Sequence, residues 1–512
     1  MKRILSVLLM LCMVFGALSF AGAEGPVQLT YWADLGSTGA SVMSSWDDNM
    51  AMQKLQEITG VDLVFQDVVV GQATEQFNLM IASRELPDII EYNWSSYSGG
   101  VQKAIDDGII IPLNDLIDQY CPNYKALFED YPDYAKQIKT DEGIIPVFAA
   151  FSISDYNCTS GFQIRKDWLD AQGLEVPTNI NEWEETLLAL MDAYDLECGI
   201  AYGTGVYSDS LVGCWDIGSA YYVDNGTIKY GPIEDAYLDY LTTMKRWYDE
   251  GILDPDFAAL NDNKTIQNYM INGEAAACFG AVGGLLGNIY TAVEAKGDTE
   301  FCQIGVAYPD NVNGGPHRFI SMSWQYRGTG SAAITTACKN QEAACRVLDY
   351  FYGDEGRILK SFGVEGISFE YVDGVPTYTD LLLHNPDGLS MSQAMYLYVR
   401  CNSPWPGFIE TGYHEQYFAR QVQKDAAHAW NLNIENTKET KLPMVSLTSE
   451  ESLEMATMTS LINDYRNEHV LKFIMGQEPL ENYPQFVNEL KSLGVERVLE
   501  IYQAAYERYL NR

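Results

Sequence analysis

An alternation of strand and helix patterns near the start of the chain constrains the fold more than any other sequence feature. Strand patterns cover residues 28–32, 61–65 and 88–92, and amphipathic helical patterns lie between them. Consecutive strands that are joined through helices form a parallel sheet with right-handed crossovers. The sequence therefore predicts an α/β fold.

The carboxyl ends of these strands are the first candidate site. Open α/β sheets bind their ligands beyond the carboxyl ends of the strands. Two of those ends carry Trp32-Ala33-Asp34 and Glu91-Tyr92-Asn93-Trp94. We expect Trp32, Asn93 and Trp94 to contact a ligand, with packing in the core as the alternative for each tryptophan.

Further α/β patterns and then a mainly helical last third follow. A strand pattern covers 161–164, and Asn181 with Glu184 resembles a capping box at the start of a helix. Thr448 with Glu451 forms a second capping-box pattern, which predicts a helix over 452–465. No tandem repeat and no low-complexity linker interrupts the chain, which favours two α/β lobes that the chain crosses more than once.

The first 23 residues have the composition of a secretory signal peptide. Lys2 and Arg3 precede an apolar run over 4–20, and Ala21-Gly22-Ala23 has the small-residue pattern of a cleavage site. An uncleaved membrane anchor is the alternative. We expect an extracytoplasmic protein, secreted to the cell surface or periplasm.

The net charge of −39 limits the kinds of molecule that the protein can bind. Such a field repels phosphate backbones and anionic lipid surfaces, so we expect no nucleic-acid partner. It also makes a polyanionic ligand less favourable, although a locally basic cleft would override the mean field. We expect a monomer.

Enzyme signatures are missing from the sequence. It contains no phosphate-binding loop, no dinucleotide fingerprint and no nucleophile elbow, and its five histidines form no HExxH or HxH pattern. We therefore expect no catalytic residues, no metal and no cofactor. Glycoside hydrolysis is the hardest activity to exclude, since it needs only two of the many carboxylates.

Five sequence blocks carry a resemblance to a known family. The first block is the segment QIRKDWLD at 163–170 with GL at 173–174, VPT at 176–178 and EW at 182–183. The others are ASRELPDI at 82–89, YDEGILDPDF at 248–257, YFYGDEG with FGVEG between 350 and 366, and KFIMG at 472–476. Together these blocks resemble extracellular solute-binding proteins of family 1, most closely the LipO-like branch of ABC-transporter sugar binders.

The resemblance implies a two-lobe, Venus-flytrap fold of the periplasmic-binding-protein type, with a hinge and an interlobe cleft. By that analogy the N-terminal lobe is 27–146 plus 309–362, and the C-terminal lobe is 147–308 plus 363–512. It further implies that hinge closure binds a carbohydrate, expected to be an oligosaccharide, between the lobes without converting it, and that the protein delivers this ligand to ABC transporter permease subunits in the membrane.

Two departures from the family pattern concern calcium and lipid. Many relatives carry an oxygen-rich calcium loop after the helix that begins near Glu182, but residues 191–199 read MDAYDLECG, so we predict no calcium there. Phe20-Ala21-Gly22 resembles the approach to a lipoprotein cleavage site, but Ala23 stands where such a site has its cysteine, so we expect secretion without a lipid.

Sugar-binding sites combine flat aromatic rings with polar side chains. Tyr207 and Trp215 lie where more distant maltodextrin binders place aromatic contacts, and Trp324 and Trp405 are weaker candidates. A glycan-degrading enzyme and a sugar-sensing envelope protein are the alternatives to a transport function.

Overall fold

The computed structural model describes residues 26–152, 157–203, 210–260, 262–321, 326–401, 405–410 and 412–512, with the backbone alone at 326–330. The strands are β1 (Val27–Ala33), β2 (Val61–Asp67), β3 (Ile89–Tyr92), β4 (Phe148–Ser152), β5 (Ser160–Arg165), β6 (Cys198–Ala201), β7 (Tyr221–Asp224), β8 (Thr227–Tyr230), β9 (Ala275–Ala281), β10 (Gln303–Gly305), β11 (Tyr326–Ile334), β12 (Phe369–Val372), β13 (Val375–Tyr378) and β14 (Gly407–Ile409).

Helices connect these strands and fill the last third of the chain. They are α1 (Gly36–Ala40), α2 (Met50–Thr59), α3 (Ala73–Ser83), α4 (Gly100–Asp106), α5 (Asn114–Tyr120), α6 (Pro122–Asp130), α7 (Pro132–Ile138), α8 (Lys166–Gln172), α9 (Ile180–Tyr194), α10 (Ala236–Asp249), α11 (Asn263–Asn272), α12 (Asn288–Lys296), α13 (Gln341–Tyr350), α14 (Asp354–Phe362), α15 (Asp380–Leu383), α16 (Met391–Tyr398), α17 (Gly412–Tyr417), α18 (Gln421–Asn431), α19 (Ile434–Thr440), α20 (Ser449–Ile474), α21 (Tyr483–Ser492) and α22 (Val495–Leu510). Single turns of 3-10 or π helix occupy Trp46–Asp48, Trp94–Ser96, Val212–Trp215, Gly231–Ile233, Val282–Gly287 and Leu480–Asn482.

A six-stranded sheet organises the N-terminal lobe, in the order β14-β4-β11-β3-β1-β2. Strand β1 pairs in parallel with both β2 and β3, which confirms the parallel arrangement predicted from the first hundred residues. Strand β11 runs antiparallel between β3 and β4. The core of this lobe packs large side chains such as Phe77, Tyr124 and Leu348 against the sheet.

A four-stranded sheet in the order β10-β5-β9-β6 organises the C-terminal lobe. Helix α18 packs on this sheet, where the indole N–H of Trp430 donates a hydrogen bond to the carbonyl of Phe162. The contact needs a glycine in β5, because a Cβ at Gly161 would lie 2.4 Å from the Trp430 ring. Helices α20 to α22 add their apolar faces to the same core.

The chain passes between the two sheets three times within the described ranges: from β4 to β5, from β10 to β11, and from β14 to α18. The predicted lobe boundaries differ from this pairing at two strands. Both β4 and β14 fall in the predicted C-terminal lobe but pair in the N-terminal sheet, because β4 is hydrogen-bonded to β11 and β14 to β4. The rest of that division stays a prediction.

Within the part of the chain that the structure describes, no helix combines the length and the apolar character that a bilayer crossing requires.

Candidate ligand-binding site

A cavity of about 680 Å³ lies where the cores of the two lobes meet. Its N-terminal wall consists of residues 94–102, after strand β3, and of residues around α7 and the start of β4. Its C-terminal wall consists of residues 442–447, one side of helix α20 and Tyr502 of α22. Trp94 belongs to the core of the first lobe and Met455 to the core of the second, so the cavity spans the interlobe boundary.

Local sequence features shape the N-terminal wall. The side chain of Asn93 caps the turn Trp94–Ser96 by accepting a hydrogen bond from the backbone N–H of Ser95 at 3.3 Å. Gly100 then adopts a φ of +77°, and a Cβ there would lie 2.9 Å from the hydroxyl of Ser452. This glycine lets the start of α4 approach α20 closely at one end of the cavity.

The lining combines aromatic rings with neutral polar groups. Its rings are those of Trp94, Tyr97 and Tyr502. Its hydroxyl and amide side chains are Ser95, Ser96, Ser98, Gln102, Gln137, Thr140, Ser446, Ser452, Thr459, Ser460 and Asn463. Among the described residues that line the cavity, none carries a charged side chain. Flat rings beside neutral hydrogen-bonding groups match the apolar faces and hydroxyl rims of sugars.

Four buried polar atoms of this lining have no hydrogen-bond partner within the described chain. They are the carbonyl oxygens of Gln102 and Gln137 and the hydroxyls of Ser452 and Thr459. Native proteins leave few buried polar atoms unpaired, because each costs free energy. Four such atoms lie around one cavity, which makes it the candidate place for a polar ligand.

A second cavity, of about 760 Å³, lies within the C-terminal lobe. Its described lining comes from residues 210–240, 319–321 and 437–474, so opening and closing of the lobes would not change it. Of its described lining residues, Tyr221 alone has a buried polar atom without a partner. We therefore take the interlobe cavity as the candidate ligand site.

The model of the bacterial extracellular solute-binding protein family matches residues 36–358, which is more than half of the chain. The chain belongs to this family. This match confirms the family resemblance that the five sequence blocks indicated, and the family is one of extracellular proteins.

Two proteins with similar sequences are LipO and FusA. Lipoprotein LipO of Bacillus subtilis is 23% identical over 360 residues, which cover 67% of this chain and 69% of LipO. The fructooligosaccharide ABC transporter substrate-binding protein FusA of Streptococcus pneumoniae is 22% identical over 504 residues, which cover 92% of this chain and 89% of FusA.

Solved structures confirm the two-lobe fold. The alginate-binding protein AlgQ2, determined without calcium ion, matches with a TM-score of 0.76 and 24% identity, covering 95% of this chain and 99% of AlgQ2. FusA in complex with kestose matches with a TM-score of 0.77 and 19% identity, covering 94% of this chain and 99% of FusA.

Three of the predicted site residues lie together near the end of β3 in this solute-binding protein. Trp94 lines the interlobe cavity, but its indole N–H donates to the carbonyl of Ile90 at 3.2 Å and its ring is 2% exposed. Asn93 beside it forms the cap described above. Trp32 packs in the lobe core with its ring centroid 6.0 Å from that of Tyr92. Whether any of the three binds ligand stays a prediction.

Trp215 and Trp405 lie away from the described lining of the interlobe cavity. Trp215 is buried in the C-terminal lobe with its ring 5.4 Å from that of Tyr240. Trp405 is buried in the N-terminal lobe, 4.3 Å from the ring of Trp46, with the guanidinium of Arg400 over its face. Tyr207 and Trp324 lie outside the described residues.

The guanidinium over Trp405 belongs to a buried polar cluster. Arg400 donates to Glu91 at 3.2 Å, and the Tyr31 hydroxyl donates to the same carboxyl oxygen at 2.8 Å. Burial is the largest influence on both charged groups. It raises the pKa of Glu91 to about 8 and lowers the pKa of Arg400 to about 10, while the attraction between the two opposes each shift.

Among the described residues, no three His, Cys, Asp or Glu side chains lie close enough together to hold a metal ion. Only residues 195–197 separate helix α9 from strand β6. A calcium loop of the EF-hand type needs about 12 residues, so this connection has no room for one. The absence of calcium elsewhere stays a prediction.

Sequence reasoning missed Gln102, Gln137, Ser452 and Thr459. They belong to helices α4, α7 and α20, and no spacing in the sequence connects them. A signal exists at one position only: Gly99-Gly100 after a strand end indicates a close backbone approach.

Proposed function

We propose that this solute-binding protein captures a carbohydrate outside the cytoplasm and delivers it unchanged to the permease of an ABC importer. Family membership and the relation to FusA, a fructooligosaccharide-binding component of such a transporter, support the proposal. The protein would act as a monomer, exported by the leader at residues 1–23.

One observation carries the proposal: the interlobe cavity joins three aromatic rings with four unpartnered polar atoms that come from both lobes. Gln102 and Gln137 lie on the N-terminal wall, while Ser452 and Thr459 lie on helix α20. A sugar that pairs with both walls would favour the closed arrangement, since a ligand shifts a hinge equilibrium by its differential affinity for the two states. No covalent bond has to change for such a carrier to act.

Binding and turnover measurements test the proposal together. Purified protein would be screened by thermal shift against neutral malto-, xylo-, manno-, fructo- and galacto-oligosaccharides and against acidic oligogalacturonate and alginate oligomers, with calorimetry on each hit. A bound sugar raises the melting temperature by mass action, with about 2.7 kcal/mol of added stability at a ligand concentration 100 times Kd.

The same samples distinguish a carrier from an enzyme. Chromatography after prolonged incubation should recover every sugar intact, and a cleavage product would refute the proposed lack of catalysis. Stimulation of a reconstituted permease by the loaded protein would support transport, whereas sugar binding without such stimulation would favour a sensor. No binding to any glycan of the panel would refute the carbohydrate ligand.

A further inference from the structure

We infer that the interlobe cavity selects an uncharged oligosaccharide and rejects acidic and cationic glycans, an inference that rests on the proposed function. Charged residues make up 20% of the chain, yet none of the described residues that line this cavity is charged. The cavity in the C-terminal lobe differs, because Lys441 and Arg466 belong to its lining. The neutral lining is therefore a property of the interlobe cavity and not of every concave surface.

The direction of one hydrogen bond disfavours an anionic group at the Gln102 end of the cavity. The amide nitrogen of Gln102 donates to the carboxylate of Asp106 at 3.1 Å, and a carboxylate can only accept. This bond fixes the orientation of the amide and leaves its carbonyl oxygen as the unpartnered end. That oxygen needs a donor from the ligand. A sugar hydroxyl or an ammonium group can donate there, whereas a ligand carboxylate or sulfate at that place has no proton to donate.

Electrostatics disfavours a charged ligand of either sign. A charge that enters a cavity loses its hydration, and the loss is offset only by a countercharge or by well-placed hydrogen bonds. The described lining offers no cation to an anionic sugar, and the net charge of −39 repels such a sugar on approach. A cationic sugar would be attracted from a distance but would find no carboxylate in the lining.

The size and aromatic content of the cavity suit a short oligosaccharide. Ligand pockets typically span about 300–1,000 Å³, and this cavity measures about 680 Å³. Tyr502 is only partly buried, so its ring offers a surface on which the apolar face of a sugar unit can pack, whereas Trp94 and Tyr97 are buried and support the opposite wall from behind.

A matched set of ligands tests the inference. The neutral oligosaccharide that binds best in the panel would be compared with two derivatives of itself: one in which a primary hydroxyl is oxidised to a carboxylate, and one in which it is replaced by an amine. Calorimetry should give a Kd at least about 100-fold weaker for each charged derivative. The neutral parent and its derivatives share linkages and size, so charge is the main variable.

Three outcomes are distinguishable. Charged derivatives that bind as tightly as their parent, or an acidic panel glycan that binds more tightly than every neutral one, would overturn the selectivity and leave the carrier function intact. No glycan binding would overturn the carrier function and the selectivity together. Weak binding of both charged derivatives beside tight binding of the parent would support the inference.

A charge introduced into the cavity gives a second readout. Gln137→Lys should bring the oxidised derivative to within about tenfold of the neutral parent, because the new cation supplies the missing countercharge. Gln119→Lys is the matched control, since Gln119 is exposed on helix α5 of the same lobe and does not line the cavity. Equal selectivity in the two variants would contradict the inference.

Discussion

Replacement of Thr459 by valine separates a ligand-binding hydroxyl from a structural one. The two side chains have nearly the same shape, but valine lacks the hydroxyl that is buried without a partner on the cavity side of helix α20. An unpaired buried hydroxyl destabilises the native state by about 1–3 kcal/mol, and the pair it forms with a ligand is worth about 1 kcal/mol net. Stability and affinity should therefore change in opposite directions.

The expected magnitudes follow from these values. Thr459→Val should stabilise the ligand-free protein by about 1 kcal/mol, which raises the melting temperature by about 2–4 °C for units of this size. The same change should weaken sugar binding by about 1–1.4 kcal/mol, or roughly fivefold to tenfold in Kd. Calorimetry on the free protein and titration with the best panel sugar measure the two quantities.

The control for this experiment lies two residues away. Thr457 is exposed on the same helix, so Thr457→Val carries the same change in helix propensity without touching the cavity. It should leave both Kd and melting temperature near their original values. A Thr459→Val protein that melts lower than the Thr457→Val protein, or that binds sugar with unchanged Kd, would refute the assignment of the hydroxyl to ligand binding.

Further predictions concern the stability of the scaffold. Asp141→Asn should lower the free energy of unfolding by about 2 kcal/mol in chemical denaturation, because the carboxylate lies 2.5 Å from the guanidinium of Arg508 on α22 and connects the two lobes. An unchanged free energy of unfolding would contradict that role. Burial lowers the pKa of His317 below its ordinary value, so as pH falls below about 6.5 the unfolded chain binds a proton before the native protein does, and the free energy of unfolding decreases. His317→Gln should make this decrease smaller in thermal melts compared between about pH 7 and about pH 5. An unchanged difference between the two pH values would refute the prediction. Gly161→Ala should cost about 3 kcal/mol or more, because its methyl would overlap the ring of Trp430, and wild-type stability would contradict the packing.

Local signals in the sequence determine much of the secondary structure. Thr448 and Glu451 form the predicted capping box, and the helix that they begin continues to Ile474, beyond the predicted end at 465, because its apolar residues pack into the C-terminal core. The cap of α9 is Asn179, two residues before the predicted Asn181, since its side chain accepts from the backbone N–H groups of Asn181 and Glu182.

Tertiary contacts decide what the local pattern leaves open. The sequence predicts an amphipathic helix between the strand patterns at 28–32 and 61–65, but the structure divides the helical stretch at Asn49, whose amide donates hydrogen bonds to the carbonyls of Tyr396 and Val399. Those partners lie some 350 residues further along the chain, and only the cap that Asn49 forms by accepting from the backbone N–H of Met52 is a local signal. The assignment of β4 and β14 to the first sheet depends on distant pairing in the same way.

The candidate site was harder to predict than the fold. Strand ends pointed to the region of Trp94, which lines the candidate cavity, because topology places the carboxyl ends of parallel strands at one edge of a sheet. The same reasoning could not show that the Trp94 indole is hydrogen-bonded within its own lobe, nor that Gln102 and Thr459 lie across one cavity. The first fact depends on packing within one lobe, and the second depends on how the two lobes meet.

A structure of the protein with its best neutral oligosaccharide bound tests the central claim most directly. The account predicts an intact sugar between residues 94–102 and helix α20, with its hydroxyls hydrogen-bonded to Gln102, Gln137, Ser452 and Thr459. A sugar bound within the C-terminal lobe alone, or a cleaved sugar in the interlobe cavity, would contradict it.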